Sequence, residues 1–392
     1  MPTTQARVLA TGPFVLAIAA AAALVLAAPF VGQIRSAVRV AFPGQYLFIL
    51  TGVAALGLLA ALASAVYRIR DRRLVRFGLI AIAIFVAVAY SLWNTTPSAE
   101  RNAVERFHFL QYGLIAFLFY RAWRPLQDAG VIVLPVLAGL IVSAAEEWLQ
   151  WFIPNRVGEI NDVLLNLVAI VCGLIFSLGI EPPKELRLAV SADTRRRIAR
   201  LAIAAVGAVA IFLHIVHLGH VVKDGEIGEF TTRFSPERLA ALQKERAARW
   251  AVAPPPRTLV RLSREDQYLT EGMEHVRERN ELWEDGNIRG AWLENRILEK
   301  YYAPVLRTPT HEGAGHAWPD AQRADAEARA ATADRTGFSS SAYPYRILPW
   351  SKPLFWTVVA LLAGWLAWIG GVVNGGARHT AATAVGPRDN LR

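Results

Sequence analysis

Only one cysteine, Cys172, occurs in the 392 residues, so no intramolecular disulfide can form. It lies inside an apolar run, where a lone thiol behaves as a small hydrophobe. Internal repeats and strand-like alternation are missing. So is any phosphate-cradling glycine loop or dinucleotide fingerprint in a credible context, and the sequence implies no cofactor. "HEGAGH" at 311–316 resembles a metalloprotease motif but spaces its histidines one residue too far. Its glycines also oppose the helix that such a motif needs. The net charge of +10 raises nucleic acid as a partner. Much of the excess, however, falls in short loops between apolar runs, where it orients a membrane protein. No nucleic-acid partner is expected.

What the sequence has in quantity is apolar length. Apolar residues make up 54 % of the chain and gather at 13–31, 45–67, 74–93, 107–121, 130–150, 162–180, 197–218 and 353–373. Such runs suit a hydrocarbon core about 30 Å thick, which a helix of roughly 20 residues crosses. The chain therefore reads as all-α: a polytopic α-helical membrane protein with about eight transmembrane helices. The fourth run is the shortest, interrupted by His108 and Gln111. Residues 1–28 compete as a signal peptide, but the length of the run and its lone Arg7 favour a retained span.

Basic residues orient these spans. The loop after the second run holds Arg68, Arg70, Arg72, Arg73 and Arg76. The loop after the fourth holds Arg121 and Arg124, and the loop after the sixth holds Lys184, Arg187, Arg195, Arg196, Arg197 and Arg200. The positive-inside rule makes these three loops cytoplasmic, with both termini. Arg378, Arg388 and Arg392 in the tail agree, while Arg35 and Arg39 in a first outer loop dissent.

The reading divides the chain into helices 1–2 (1–74), a transmembrane core (75–180), helix 7 (181–218), an extracytoplasmic and mainly helical soluble domain (219–352), and helix 8 with a cytoplasmic tail (353–392). Within the domain, Ser235 and Pro236 start an amphipathic helix that the prolines at 254–256 end. Two further helices break near Asp285-Gly286, and "WPDAQRADAEARAATADR" reads as an exposed helix.

Ionisable residues are costly in a membrane body and mark function by default. Here they collect at one depth. His108 and Tyr112 open the fourth span, Glu146, Glu147 and Gln150 close the fifth, and Asp162 and Asn166 open the sixth, with Arg156 in the loop between. Spacings of three or four put Glu147 with Gln150, His108 with Tyr112, and Asp162 with Asn166 on shared helix faces. Adjacent Glu146 and Glu147 cannot share a face, and Glu147 is expected to point inward. Asn166, Ala169 and Gly173 continue a small-residue stripe that admits close helix packing. As plain structure, these residues would be helix caps and interfacial anchors.

Glu147-x-x-Gln150, Pro154, Arg156, Asp162-x-x-x-Asn166 and Gly173, with the upstream His108-x-x-x-Tyr112, resemble the signature of VanZ-like membrane proteins over about 75–180. The chain departs from the pattern at Val104-Glu105, where many members have Asp-Lys, and at Ala169, where glycine is usual. The resemblance implies a multi-pass protein of the bacterial plasma membrane with a role at the cell envelope. The family is named for low-level resistance to the glycopeptide teicoplanin. Residues 219–352 lie outside the resemblance.

Three functions compete. In the first, the body binds an envelope lipid, lipid-linked precursor or glycopeptide, with Arg156 on an anionic group and Tyr112, Gln150 and Asn166 as further contacts. In the second, His108, Glu147 and Asp162 act as catalytic acid and base on a lipid-linked or peptidoglycan-related substrate. No nucleophile is obvious, since Ser143 is the only nearby hydroxyl on the helix of Glu147 and Cys172 lies about 15 Å deeper than Asp162. In the third, the carboxylates couple transport to protons, although transporter sites favour the midplane. His214, His217 and His220, three apart near the end of the seventh span, are weak metal candidates.

Overall fold

The computed structural model describes residues 11–96, 98–153, 156, 158–257, 266–330, 337–343 and 345–371. Two compact units emerge. The first comprises residues 1–149, 160–212 and 356–392, and the second residues 150–159 and 213–355. The basic tail residues Arg378, Arg388 and Arg392 lie outside the described residues.

The first unit is a helical body. Its helices are α1 (Thr11–Ala41), α2 (Tyr46–Arg68), α3 (Arg73–Trp93), α4 (Ala99–Trp123), α5 (Gly130–Gln150), α6 (Ile160–Ile180), most of α7 (Ala192–Val216) and most of α13 (Lys352–Ile369). Each apolar run in the sequence has become one of these helices. Seven of them, all but α4, have the length and hydropathy of a membrane span among the described residues. α4 carries Glu100, Glu105, Arg106 and Arg121, which dilute its hydropathy. Large side chains such as Phe48 on α2 and Phe85 on α3 face outward, 80 % and 72 % exposed. Unsatisfied backbone cannot sit in hydrocarbon, and a bundle of continuous helices meets that condition.

α6 is the axis of this body. It packs along α4 and α3, and α4 is flanked in turn by α1 and α2. The closest approach is at Gly113 and Gly173, where a Cβ on Gly173 would stand 2.5 Å from the Gly113 Cα. α5 closes on the pair through Leu134, Ala138 and Val142, which share a core with Tyr112 and Ile170.

The C-terminal end of α6 is held by arginines. Arg76 Nε donates to the Gly179 carbonyl at 2.8 Å, so a guanidinium satisfies a carbonyl that the helix leaves open. Glu181, just past the helix, gathers Arg68, Arg121 at 3.4 Å and Arg124 at 3.1 Å. These arginines were expected to serve topology alone. They also fasten three helices to the end of α6.

α1 corrects the expected outline. It runs 31 residues through Pro29, so Arg35 and Arg39 lie on the helix and not in a loop. Both pair with Glu100 in the first turn of α4, Arg35 at 2.8 Å. The two charges that dissented from the topology thus have an acidic partner.

The second unit is mainly helical but not purely so. Strands β1 (His220–Asp224) and β2 (Gly228–Thr232) pair antiparallel, from His220 opposite Thr232 to Asp224 opposite Gly228. Gly228 has φ +118°, a conformation that favours glycine at this turn. The helices are α8 (Pro236–Val252), α9 (Gln267–Glu284), α10 (Ile288–Tyr301), α11 (Ala303–Arg307) and α12 (Asp320–Ala330). Ser235 caps α8, and the α9–α10 break falls at Asp285-Gly286 as expected, with Asn287 capping α10. α12 is exposed along most of its length, as expected, and it packs on α10, with Ala326 and Ala330 buried.

Glu271 ties this unit together. Fully buried, it accepts hydrogen bonds from Thr232 Oγ1 (2.6 Å), the Arg233 amide (3.1 Å), Tyr302 Oη (2.8 Å) and Tyr343 Oη (2.9 Å). Burial raises its pKa above the ordinary carboxylate value, against the pull of those four donors. At the hairpin, burial of Asp224 is outweighed by Lys300 and Tyr301, each 2.6 Å away, which hold its pKa down at about 2.

Candidate functional site

In the membrane unit, α4, α5 and α6 bring polar residues together, and because α4 begins at Ala99 and not at 107, His108 and Tyr112 lie near its middle and do not open it as expected. α4 contributes His108 and Tyr112, one turn apart. α5 contributes Ser143 and Glu146, also one turn apart. α6 contributes Asn166, whose side chain is reached because the glycine contact lets α4 and α6 approach closely.

The five side chains form one polar chain, hydrogen-bonded from His108 through Asn166 to Ser143 and again from Tyr112 to Glu146. His108 Nδ1 lies 2.8 Å from Asn166 Oδ1, and Asn166 Nδ2 donates to Ser143 Oγ at 3.0 Å. Tyr112 Oη donates to Glu146 Oε2, and Ser143 stands beside the Tyr112 phenol. The His108 and Tyr112 rings stack in parallel, 6.2 Å between centroids. Tyr112, Ser143 and Asn166 are completely buried and Glu146 is buried, whereas His108 is half-buried. Buried polar groups persist only when paired, and these hydrogen bonds meet that demand.

The expectation that Glu147 alone points inward is corrected. Glu147 is entirely enclosed, and so is Glu146, at 7 % exposure. Glu146 makes the bond to Tyr112. Adjacent residues are about 100° apart around a helix, but a helix packed against two neighbours buries far more than one narrow face. Tyr112 and Asn166, expected as ligand contacts, are interior members of the chain. Asp162 is half-buried in the first turn of α6, one turn before Asn166 on its face.

Gln150 and Arg156 belong to the second unit, where Arg156 Nη2 donates to Gln150 Oε1 at 3.0 Å. Their neighbour Trp151 is held there too. The Arg233 guanidinium stands 4.6 Å over its ring, and Tyr345 meets it edge-on at 5.6 Å. Sequence reading missed Trp151, Arg233 and Tyr345 because nothing in their spacing links positions so far apart. Ser143 and Glu146 were within reach of it, through their separation of three.

The metal candidates do not converge. α7 ends at Val216, which places His220 on β1, exposed, and off the helix face expected for all three histidines. His217 Nδ1 instead meets the Arg346 carbonyl at 2.6 Å, and burial pushes its pKa down. No group of three ligating side chains forms among the described residues. In "HEGAGH", His316 pairs with Thr310 Oγ1 at 3.0 Å.

Long apolar helices, outward-facing hydrophobes and an interior polar chain define a polytopic α-helical membrane protein. Residues 46–180, about a third of the chain, match the family model described as VanZ/LLP1. The match opens at α2, earlier than the expected start at 75, and closes on the last residue of α6. It contains all five members of the polar chain. No curated protein and no solved structure matches.

Proposed function

We propose that this chain is a VanZ-like protein, sits in the bacterial plasma membrane with both termini cytoplasmic, and binds the head of an amphiphile at the outer face. The amphiphile is an envelope lipid, a lipid-linked precursor or a glycopeptide. The observation that carries the reading is the chain from His108 to Glu146, because a membrane protein that encloses two adjacent carboxylates retains a costly feature. The half-buried His108 and Asp162 form the accessible edge. Tyr112, Ser143, Asn166 and Glu146 form its support. The basic loops after α2, α4 and α6 support the orientation.

A second reading, acid–base catalysis on the same amphiphile, draws on one geometric fact. A histidine held through Nδ1 by an amide oxygen resembles the arrangement that orients a general base.

Alanine substitution of His108, Glu147 and Asp162, scored for glycopeptide sensitivity and envelope lipid profile, tests the function. A change in either, with protein levels intact, is expected. No change in both readouts removes the cluster from the function.

A further inference from the structure

The polar chain has a direction, set by the Asn166 amide. A carboxylate only accepts, so Tyr112 Oη donates to Glu146. At its other end, Asn166 Nδ2 donates to Ser143 Oγ at 3.0 Å. An amide that turns its nitrogen to Ser143 turns its oxygen to His108. Asn166 Oδ1 is therefore the acceptor, and His108 Nδ1 carries the proton.

That assignment leaves Nε2 of neutral His108 as a bare lone pair. Among the described residues it has no hydrogen-bond partner, and His108 is the one member of the chain that is not buried. A neutral histidine side chain in water favours the opposite tautomer, with the proton on Nε2. Asn166, steadied by Ser143, holds the less common one.

The geometry points to His108 Nε2 as a dedicated acceptor for a proton-donating ligand group, with Asn166, Ser143, Tyr112 and Glu146 as positioning residues. The ligand is thereby narrowed to an amphiphile whose head presents a hydroxyl or ammonium donor, as a sugar or amino head group does. Asp162, one turn before Asn166 on the same face, offers a second acceptor to the same kind of head. This rests on the binding reading proposed above and specifies its ligand class.

The test is nitrogen NMR on the full chain, 15N-labelled at histidine, in phosphatidylcholine nanodiscs at about pH 8, above the ordinary imidazole range. His108 is assigned as the signal lost in His108→Gln. The expected wild-type spectrum has Nδ1 protonated and Nε2 bare, and in Asn166→Leu the Nε2 resonance shifts toward the protonated range. A wild-type Nε2 that is protonated, in a neutral or a charged ring, overturns the inference even if the variant fails to fold. Octyl glucoside, which carries hydroxyl donors, is expected to shift the Nε2 resonance. Lauryl dimethylamine oxide, which has no donor at this pH, is expected to leave it in place. Equal response to both, or to neither, overturns the ligand class. A reversed tautomer with the envelope phenotype intact removes this inference alone. The expected tautomer with no envelope phenotype removes the binding reading instead.

Discussion

At the residue scale, the fate of Tyr112 decides whether the buried carboxylate is tolerated. Its hydroxyl donates to Glu146, and removing it leaves a buried acceptor without its donor. Such a loss costs about 1–3 kcal/mol. Tyr112→Phe is therefore expected to lower the thermal stability of the protein in nanodiscs, whereas Glu146→Gln, which still accepts from Tyr112, is expected to lower it less. Equal stability of wild type and Tyr112→Phe would mean that the bond carries nothing. Much of this site was legible in the sequence. His108, Tyr112, Glu147 and Asn166 stood out because polar residues at helical spacing are rare in apolar runs. Glu146 was set aside on a one-face argument that fails for a helix enclosed on two sides. The joining of Asn166 to Ser143 was beyond sequence reading, because it depends on how closely three helices approach.

Helix spacing is the next scale, and it turns on a glycine pair. Gly113 and Gly173 let α4 and α6 come together, and a Cβ at Gly173 would collide with the Gly113 backbone at 2.5–3.0 Å. Backbone cannot step aside as a long side chain can, so Gly173→Ala is expected to destabilise by about 1–3 kcal/mol through overpacking. It is also expected to loosen the His108–Asn166 contact. Gly207→Ala on α7 meets nothing within 4 Å and serves as the control. There alanine gains up to about 1 kcal/mol of helix propensity. The measurement is thermal unfolding of both variants in the same nanodiscs, and equal behaviour would contradict the close packing. The small-residue stripe was readable from Asn166, Ala169 and Gly173. The partner glycine on α4 was not, since no sequence rule pairs 113 with 173. The hairpin of β1 and β2 also escaped reading. Each strand is only five residues and carries charge, and the pair is anchored by side chains as distant in sequence as Glu271 and Lys300.

For the whole molecule, the division of labour follows from charge and burial. The membrane unit carries the family match and the polar chain. The second unit gathers Gln150, Trp151 and Arg156 with the hairpin and its helices. Eight helices were legible because hydrocarbon demands long apolar runs, and that demand is written into composition. The arginine clamp on α6 was hidden behind the same rule, since Arg68, Arg76, Arg121 and Arg124 read equally well as topology signals. The central claim is that the polar cluster between α4, α5 and α6 holds an amphiphile by its head. Native mass spectrometry of the protein, released intact from its own membrane, tests this most directly. Wild type is expected to retain a discrete amphiphile that is lost or weakened at least tenfold, about 1.4 kcal/mol, in Asp162→Ala and His108→Gln. The same complement of bound lipid in wild type and both variants would contradict the account.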